Sequence, residues 1–305
     1  MPAGFLAIPT DDYTKTYQRE GRGITQYTLN LSHHEKQELW RYLDNDMVAG
    51  AHRNFNFLKN NCASMCMVAV ESVMWKEDFH VKAWPEPMSK TNGAILLHLT
   101  RHAPWLRFVM MPLFGSEADA YWDQEYRISP ELIGEVLTNA DIINNEGNRR
   151  TALNGTPTTL LAKEKDFSPS PFTPNRVFGC LLALTILLTF CEWKWGWKRI
   201  PKAFDAFLLA AQTIIGCALL YVTCVTCLFG LHWNWLLIPF NPLPFLIWML
   251  FRKKRNYHIV YGVYAIVLLL FIVLMPFVTT QVITAHLLLV MIMAARCVFK
   301  YFNNK

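Results

Sequence analysis

The sequence predicts an α+β water-facing domain followed by an α-helical membrane domain of about five spans. Three observations lead there. The chain of 305 residues is 53% hydrophobic, more apolar than a soluble domain usually is. The apolarity is uneven: up to about Asn175 the character is mixed, and beyond it long apolar runs alternate with short loops. Alternate loops are basic, the charge pattern of a multi-pass membrane protein. Residues 1–170 are therefore assigned to an extracytoplasmic domain, 171–176 to a linker and 177–305 to the transmembrane domain.

In the first domain, "LNLSHHEKQELWRYLDND" reads as a capped helix. Ser32 and Glu35 have capping-box spacing, and Leu39, Leu43 and Met47 recur on one face. His33 and His34 then lie in the first turn, facing solvent. The loop "AGAHRN" leads to "FNFLKNNCASMC", where Asn60 or Asn61 can cap the next helix through its side-chain oxygen. Met65, Ala69, Val73 and Met74 make the core-facing stripe of that helix. "HVKAWPEPMSKTNGAILL" reads as a loop with a helix at its end. "SPELIGEVLTNA" reads as a capped helix with Pro130 at its first position. "NEGNRRTALNGTPTTLLA" has the turn signals and β-branched residues of a hairpin, and "KDFSPSPFTPN" is a Pro/Ser linker.

Five apolar runs follow: Val177–Cys191, Ala206–Phe229, Trp235–Phe251, Ile259–Met275 and Val282–Phe299. The first reaches spanning length if Glu192 and Lys194 snorkel and Trp193, Trp195 and Trp197 sit at the interface. The third contains Pro239, Pro242 and Pro244 and is expected to be broken or re-entrant. Lys194, Lys198, Arg199 and Lys202 lie between the first two runs, and Arg252, Lys253, Lys254 and Arg255 between the third and fourth. Arg296, Lys300 and Lys305 lie at the end, while Gly230–Asn234 and Pro276–Gln281 carry no Lys or Arg. This positive-inside pattern puts the C-terminus in the cytoplasm and the N-terminal domain outside, in a cytoplasmic (inner) membrane. The net charge of +6 owes much to these loops and is no signal for nucleic acid. Met1–Tyr17 has neither a basic segment nor a useful apolar stretch for export. Either the first span directs its own insertion, or the native chain starts further upstream; the second is preferred.

The eight cysteines do not form a disulfide framework. Most lie in or beside the apolar runs, and the Cys224–Cys227 pair reads as small residues at a helix contact rather than a redox motif. Cys62 and Cys66 alone belong to the outer domain. With Asn61 as cap, Cys62 stands in the first turn of a helix. Unpaired N–H groups and the positive dipole end there favour a thiolate and can stabilise an oxyanion. The ordinary alternative is a capped helix that happens to begin with cysteine. Cys66 is expected on the buried, apolar side as a small core residue. A thiol nucleophile calls for a histidine base, and among His52, His80, His98 and His102 none is marked out by spacing.

The blocks "TKTYQREGRGITQYTLNLSHHEKQELWRYL", "FNFLKNNCASMC", "PLFGSEADAYWDQEYRISPELI" and "HWNWLLIPFNPLPF" resemble the bacterial Lnb-type family of lipoprotein N-acyltransferases. The resemblance runs from about Tyr17 through the third apolar run. It implies a partial, circularly permuted papain-like thiol domain in which Cys62 is the nucleophile and Asn61 its preceding asparagine. The Gly-His strand that such a domain carries upstream of the cysteine has no counterpart here. That departure is the reason an upstream start is preferred, and it implies little activity for the chain as written.

The resemblance implies transfer of an acyl chain from phospholipid, through a Cys62 thioester, to the N-terminal amine of a lipoprotein. Two alternatives stay open: a cysteine hydrolase of peptide or cell-wall amides, and a catalytically inactive membrane protein that binds lipids or partners. The expected partners are phospholipid, lipoprotein and the membrane. No cofactor, metal or nucleic acid is called for.

Overall fold

A computed structural model describes the chain apart from residues 1, 4–7, 51–52, 59, 75–76, 85–90, 122–124, 164–169, 226–232, 252–256 and 304–305. In chain order the elements are β1 (Pro2–Ala3), α1 (Thr10–Glu20), β2 (Ile24–Gln26), α2 (His33–Ala49), β3 (Arg53–Asn54), α3 (Cys62–Val73) and β4 (Glu77–Val81). Next come α4 (Asn92–Leu99), α5 (Pro104–Phe114), α6 (Pro130–Thr138), β5 (Ala140–Asn144), β6 (Arg149–Thr151) and β7 (Thr158–Leu161). The last are α7 (Pro174–Trp195), α8 (Arg199–Val225), α9 (Leu243–Phe251), α10 (His258–Val278) and α11 (Thr284–Asn303). Two compact units interleave in sequence: Met1–Ser89 with Trp122–Ser168, and Lys90–Tyr121 with Pro169–Lys305. Thus α4 and α5, which the sequence reading left in the outer domain, group with the apolar helices.

The first unit is mixed helix and small antiparallel sheets. β4, β5 and β6 form one sheet in that order, β2 pairs with β7, and β1 with β3. The capping box at Ser32 and Glu35 is present, and Glu35 has a second use. Its carboxylate accepts from Ser32 N–H at 2.6 Å and from Arg150 at 2.6 and 2.8 Å. Arg150 on β6 also bonds Glu77 on β4, so one guanidinium ties α2 to the sheet. Ser129 caps α6 with Pro130 in its first turn, as the sequence indicated. The hairpin lies earlier than expected: its strands are β5 and β6, with Gly147 at φ 82° in the turn, and β7 leaves to pair with β2. β4 ends in His80 and Val81, residues read from sequence as the start of a loop.

In the second unit four helices, α7, α8, α10 and α11, are long and apolar enough to cross a membrane. The third apolar run is not a fifth helix of that kind; it is broken, as its prolines indicated. Trp235–Leu237 form a 3-10 turn and α9 supplies the helical remainder. The irregular part satisfies its backbone with side chains, as a non-helical segment at membrane depth must. Trp235 N–H donates to Gln281 and Leu236 N–H to Asn234. Gln212 donates to the Asn241 carbonyl, and the Tyr264 hydroxyl to the Pro239 carbonyl. Asn234 meets Gln281, past the end of α10, whereas Pro239 meets Tyr264 near its start. The broken segment therefore runs antiparallel to α10. Gly216 makes room for it: a Cβ there would stand 2.8 Å from Asn241 Cα.

Glu192 does not snorkel. Arg296, 4% exposed on α11, donates to Glu192 at 2.7 Å and to Asp205 at 2.6 Å, and Lys300 reaches Glu192 at 2.6 Å. Opposite charges from three helices thus neutralise one another at one end of the bundle. At the other end, Asp119 accepts from the Thr279 hydroxyl at 2.6 Å and from Thr280 N–H at 2.7 Å. Asn234 donates to the Pro112 carbonyl, which fastens the end of α5 to the broken segment. The basic loop Arg252–Arg255 lies outside the described residues.

Candidate functional site

The loop before α3 is built by its asparagines. Asn56 and Asn60 exchange backbone hydrogen bonds at 3.2 and 3.1 Å, and Asn56 Oδ1 accepts from Leu58 N–H. Phe55 and Phe57 meet edge to face, and Leu58 is sealed in the core. Asn61 is the N-cap: its Oδ1 accepts from Ser64 N–H at 2.8 Å, and Ser64 Oγ accepts from Asn61 N–H at 2.9 Å. Its amide nitrogen donates to Phe57 O at 2.8 Å and to Ile128 O at 3.0 Å. One side chain, 6% exposed, therefore closes the loop, starts the helix and holds the segment at Ile128.

Cys62 is the first residue of α3, with an exposed free thiol. Among the described residues its own N–H and that of Ala63 make no hydrogen bond. These are two of the orphan donors of a helix start, available to an oxyanion formed beside the sulfur. Cys66 is exposed, not buried on the inner face as the sequence reading had it. The cap sets the rotation of the helix: Ala63, Met67, Val70 and Met74 turn inward, and Cys66, four residues from Cys62, shares its outward face. Surrounding protein atoms push the Cys66 thiol up from its ordinary value, and the Cys62 charge adds to that.

Helix α1 supplies a neighbour that spacing did not single out. Tyr13 and Tyr17 stack with ring centroids 4.4 Å apart, and Arg22 donates to the Tyr17 hydroxyl at 3.1 Å while lying 4.0 Å over its ring. The hydrogen bond with Tyr17 and partial burial push the Tyr13 hydroxyl up to about 12, and the Cys62 charge raises it further. Tyr13 is thus within electrostatic range of the thiol and stays protonated at neutral pH, a donor rather than a base. The i,i+4 spacing of Tyr13 and Tyr17 was the available signal.

His33 and His34 are exposed on α2, His33 paired with Gln37, and His80 is exposed on β4. Among the described residues no histidine hydrogen-bonds Cys62, and His52 lies outside them. No group of three or more His, Cys, Asp or Glu among the described residues is arranged to hold a metal.

A thiol at a capped helix start on a small mixed unit, together with apolar helices of spanning length, defines a multi-pass membrane protein with a separate thiol-bearing domain. Residues 1–89 match the family described as the Lnb N-terminal periplasmic domain, and residues 163–305 match the Lnb transmembrane domain. The chain belongs to the Lnb family, with a periplasmic N-terminal domain and a transmembrane domain. No curated protein and no solved structure matches it.

Proposed function

We propose that the chain is a membrane-bound thiol acyltransferase that moves an acyl chain from phospholipid to the N-terminal amine of a lipoprotein. The observation that carries the reading is the exposed Cys62 at a capped helix start, beside two unbonded N–H groups, in a chain that also carries four helices long and apolar enough to cross a membrane. The Cys62 sulfur attacks an ester carbonyl, the C–O bond breaks, and the lysophospholipid leaves as an alkoxide that takes up a proton. The neutral amine then attacks the thioester carbon, the C–S bond breaks, the thiolate leaves, and the proton released from the amine nitrogen passes to the thiolate or to water. The N–H groups of Cys62 and Ala63 face the oxyanion of both steps. The resemblance that motivates this chemistry also implies a permuted papain-like layout; a helix opening with the thiol on a unit of small antiparallel sheets is compatible with it.

The orientation belongs to the same reading: inner membrane, with the C-terminus cytoplasmic. The basic residues Lys194, Lys198, Arg199, Lys202, Arg296 and Lys300 at one end of the bundle support it. A C-terminal tag that becomes accessible only after the membrane is permeabilised agrees with this orientation, and a tag accessible on intact spheroplasts contradicts it.

The chemical test is a trapped thioester. The full chain in detergent, given phospholipid with a labelled acyl chain, acquires the label on Cys62 in a form released by hydroxylamine. Label that persists in Cys62→Ala removes the nucleophile. In cells lacking their own lipoprotein N-acyltransferase, the third acyl chain appears on lipoproteins with Cys66→Ala and not with Cys62→Ala. The lack of a histidine bonded to Cys62 among the described residues favours a second reading, a lipid-binding protein without turnover. In that case lipid binds, and no hydroxylamine-labile adduct forms.

A further inference from the structure

A cavity of about 940 Å³ lies among α8, α9, α10 and α11. Its polar end is formed by Lys202 and Asp205 at the start of α8 and by Arg296 and Lys300 at the end of α11. Its body is apolar, with Leu209, Ile247, Val260 and Val267 on its walls. From Lys202 to Gln212 on α8, and from Tyr257 at the cap of α10 to Val267, the lining extends over about 15 Å of helix rise. That depth is about half of a ~30 Å hydrocarbon core. The cavity therefore has the length of one leaflet, charged at the headgroup level and apolar below.

The charges at the polar end are unequal. Asp205 and the adjoining Glu192 are matched by Arg296 and Lys300, with contacts of 2.6, 2.7, 2.6 and 3.2 Å. Lys202 remains, exposed and without an ion pair among the described residues. A second observation bears on what fills the body. Leu243, Phe245, Ile247 and Trp248 of α9 line the cavity, and none of them is buried. The cavity-facing side of this short apolar helix gains contacts when something apolar occupies the cavity beside it.

We propose that this cavity binds one glycerophospholipid with a net-negative headgroup, its phosphate at Lys202 and an acyl chain along α9 and α10. The lipid completes the packing of α9 and neutralises the unpaired lysine. This binding requires no turnover at Cys62 and does not depend on the acyltransferase reading.

The test is native mass spectrometry of the full chain released from detergent, after exposure to phosphatidylglycerol or to phosphatidylcholine with the same acyl chains. The expected result is one retained phosphatidylglycerol under conditions that strip phosphatidylcholine. Lys202→Glu lowers the retained fraction roughly tenfold, about 1.4 kcal/mol. Ala206→Trp, which fills the cavity from the α8 wall, abolishes retention while elution as a monodisperse species persists. The proposal is overturned if both lipids are retained equally, if Lys202→Glu holds phosphatidylglycerol as the wild type does, or if the Trp variant leaves binding unchanged. Lys202→Gln, which removes the charge without reversing it, repeats the headgroup test if the Glu variant does not fold.

Discussion

Asn61 offers the most exacting check, because its side chain performs two separable tasks. As acceptor it caps α3 through Ser64 N–H, and as donor it holds the Phe57 and Ile128 carbonyls. Loss of a cap costs about 0.5–2 kcal/mol. Loss of each donated bond costs about 0.5–1.5 kcal/mol, and there is little water at a side chain 6% exposed to replace them. Asn61→Ser keeps a good cap acceptor and discards both amide donors, so it is expected to lose about 1–3 kcal/mol of local stability. Asn61→Ala also loses the cap, for a total of about 1.5–5 kcal/mol. Hydrogen exchange at the Ser64 and Met65 amides, measured on the full chain in detergent, reads the local opening directly. Each 1.4 kcal/mol quickens exchange about tenfold. Exchange in Asn61→Ser equal to wild type refutes a structural role for the amide donors. Equal exchange in the Ser and Ala variants refutes the cap.

Gly216→Ala places a methyl against the Asn241 backbone and is expected to lower stability by about 1–3 kcal/mol in thermal unfolding. Gly179→Ala, with open space around its Cβ, is the control and changes stability by no more than about 0.5 kcal/mol. Arg296→Met leaves Glu192 and Asp205 short of a cation and should cost roughly 3 kcal/mol, seen as a lower thermal midpoint or loss of the folded protein. In the first unit, burial alone would raise the Glu35 carboxyl, but Ser32 and Arg150 hold it below its usual range. Burial, then the neighbouring Glu35, raises Glu77. Glu35 therefore contributes stability that is full above its unfolded value of about 4.3 and is lost as pH falls through its lower folded value. Glu77 has the opposite sign: its contribution diminishes as pH rises from the unfolded value through the raised one. Arg150→Met removes the cation both acids share. It should move the onset of acid-induced proteolysis of the Glu35 region to higher pH; an unchanged onset would show that the ion pairs do not stabilise it.

What lay within a few residues was legible in the sequence. The capping box at Ser32 and Glu35, the cap before Cys62, Pro130 opening α6 and the apolar runs depend on hydrogen bonds and periodicity inside one helix or one turn. The broken third run was visible for the same reason, since proline lacks the N–H that a continuous helix needs. Tertiary structure decided what lies far apart along the chain. Asn61 meets Ile128 across 67 residues, Arg150 meets Glu35 across 115, and Asp119 meets Thr279 across 160. Such pairs carry no mark in local spacing, because chain topology decides which partners arrive. Cys66 shows the limit in a single residue. Its chemistry favours an apolar core, yet the rotation of α3, set by Asn61 and by the neighbours packed against Ala63, Met67 and Val70, turns it outward beside Cys62. The lengths and types of the elements were local properties. The company kept by Cys62, Lys202 and Arg296 was a property of the fold, because burial and pairing exist only once distant segments exclude water together.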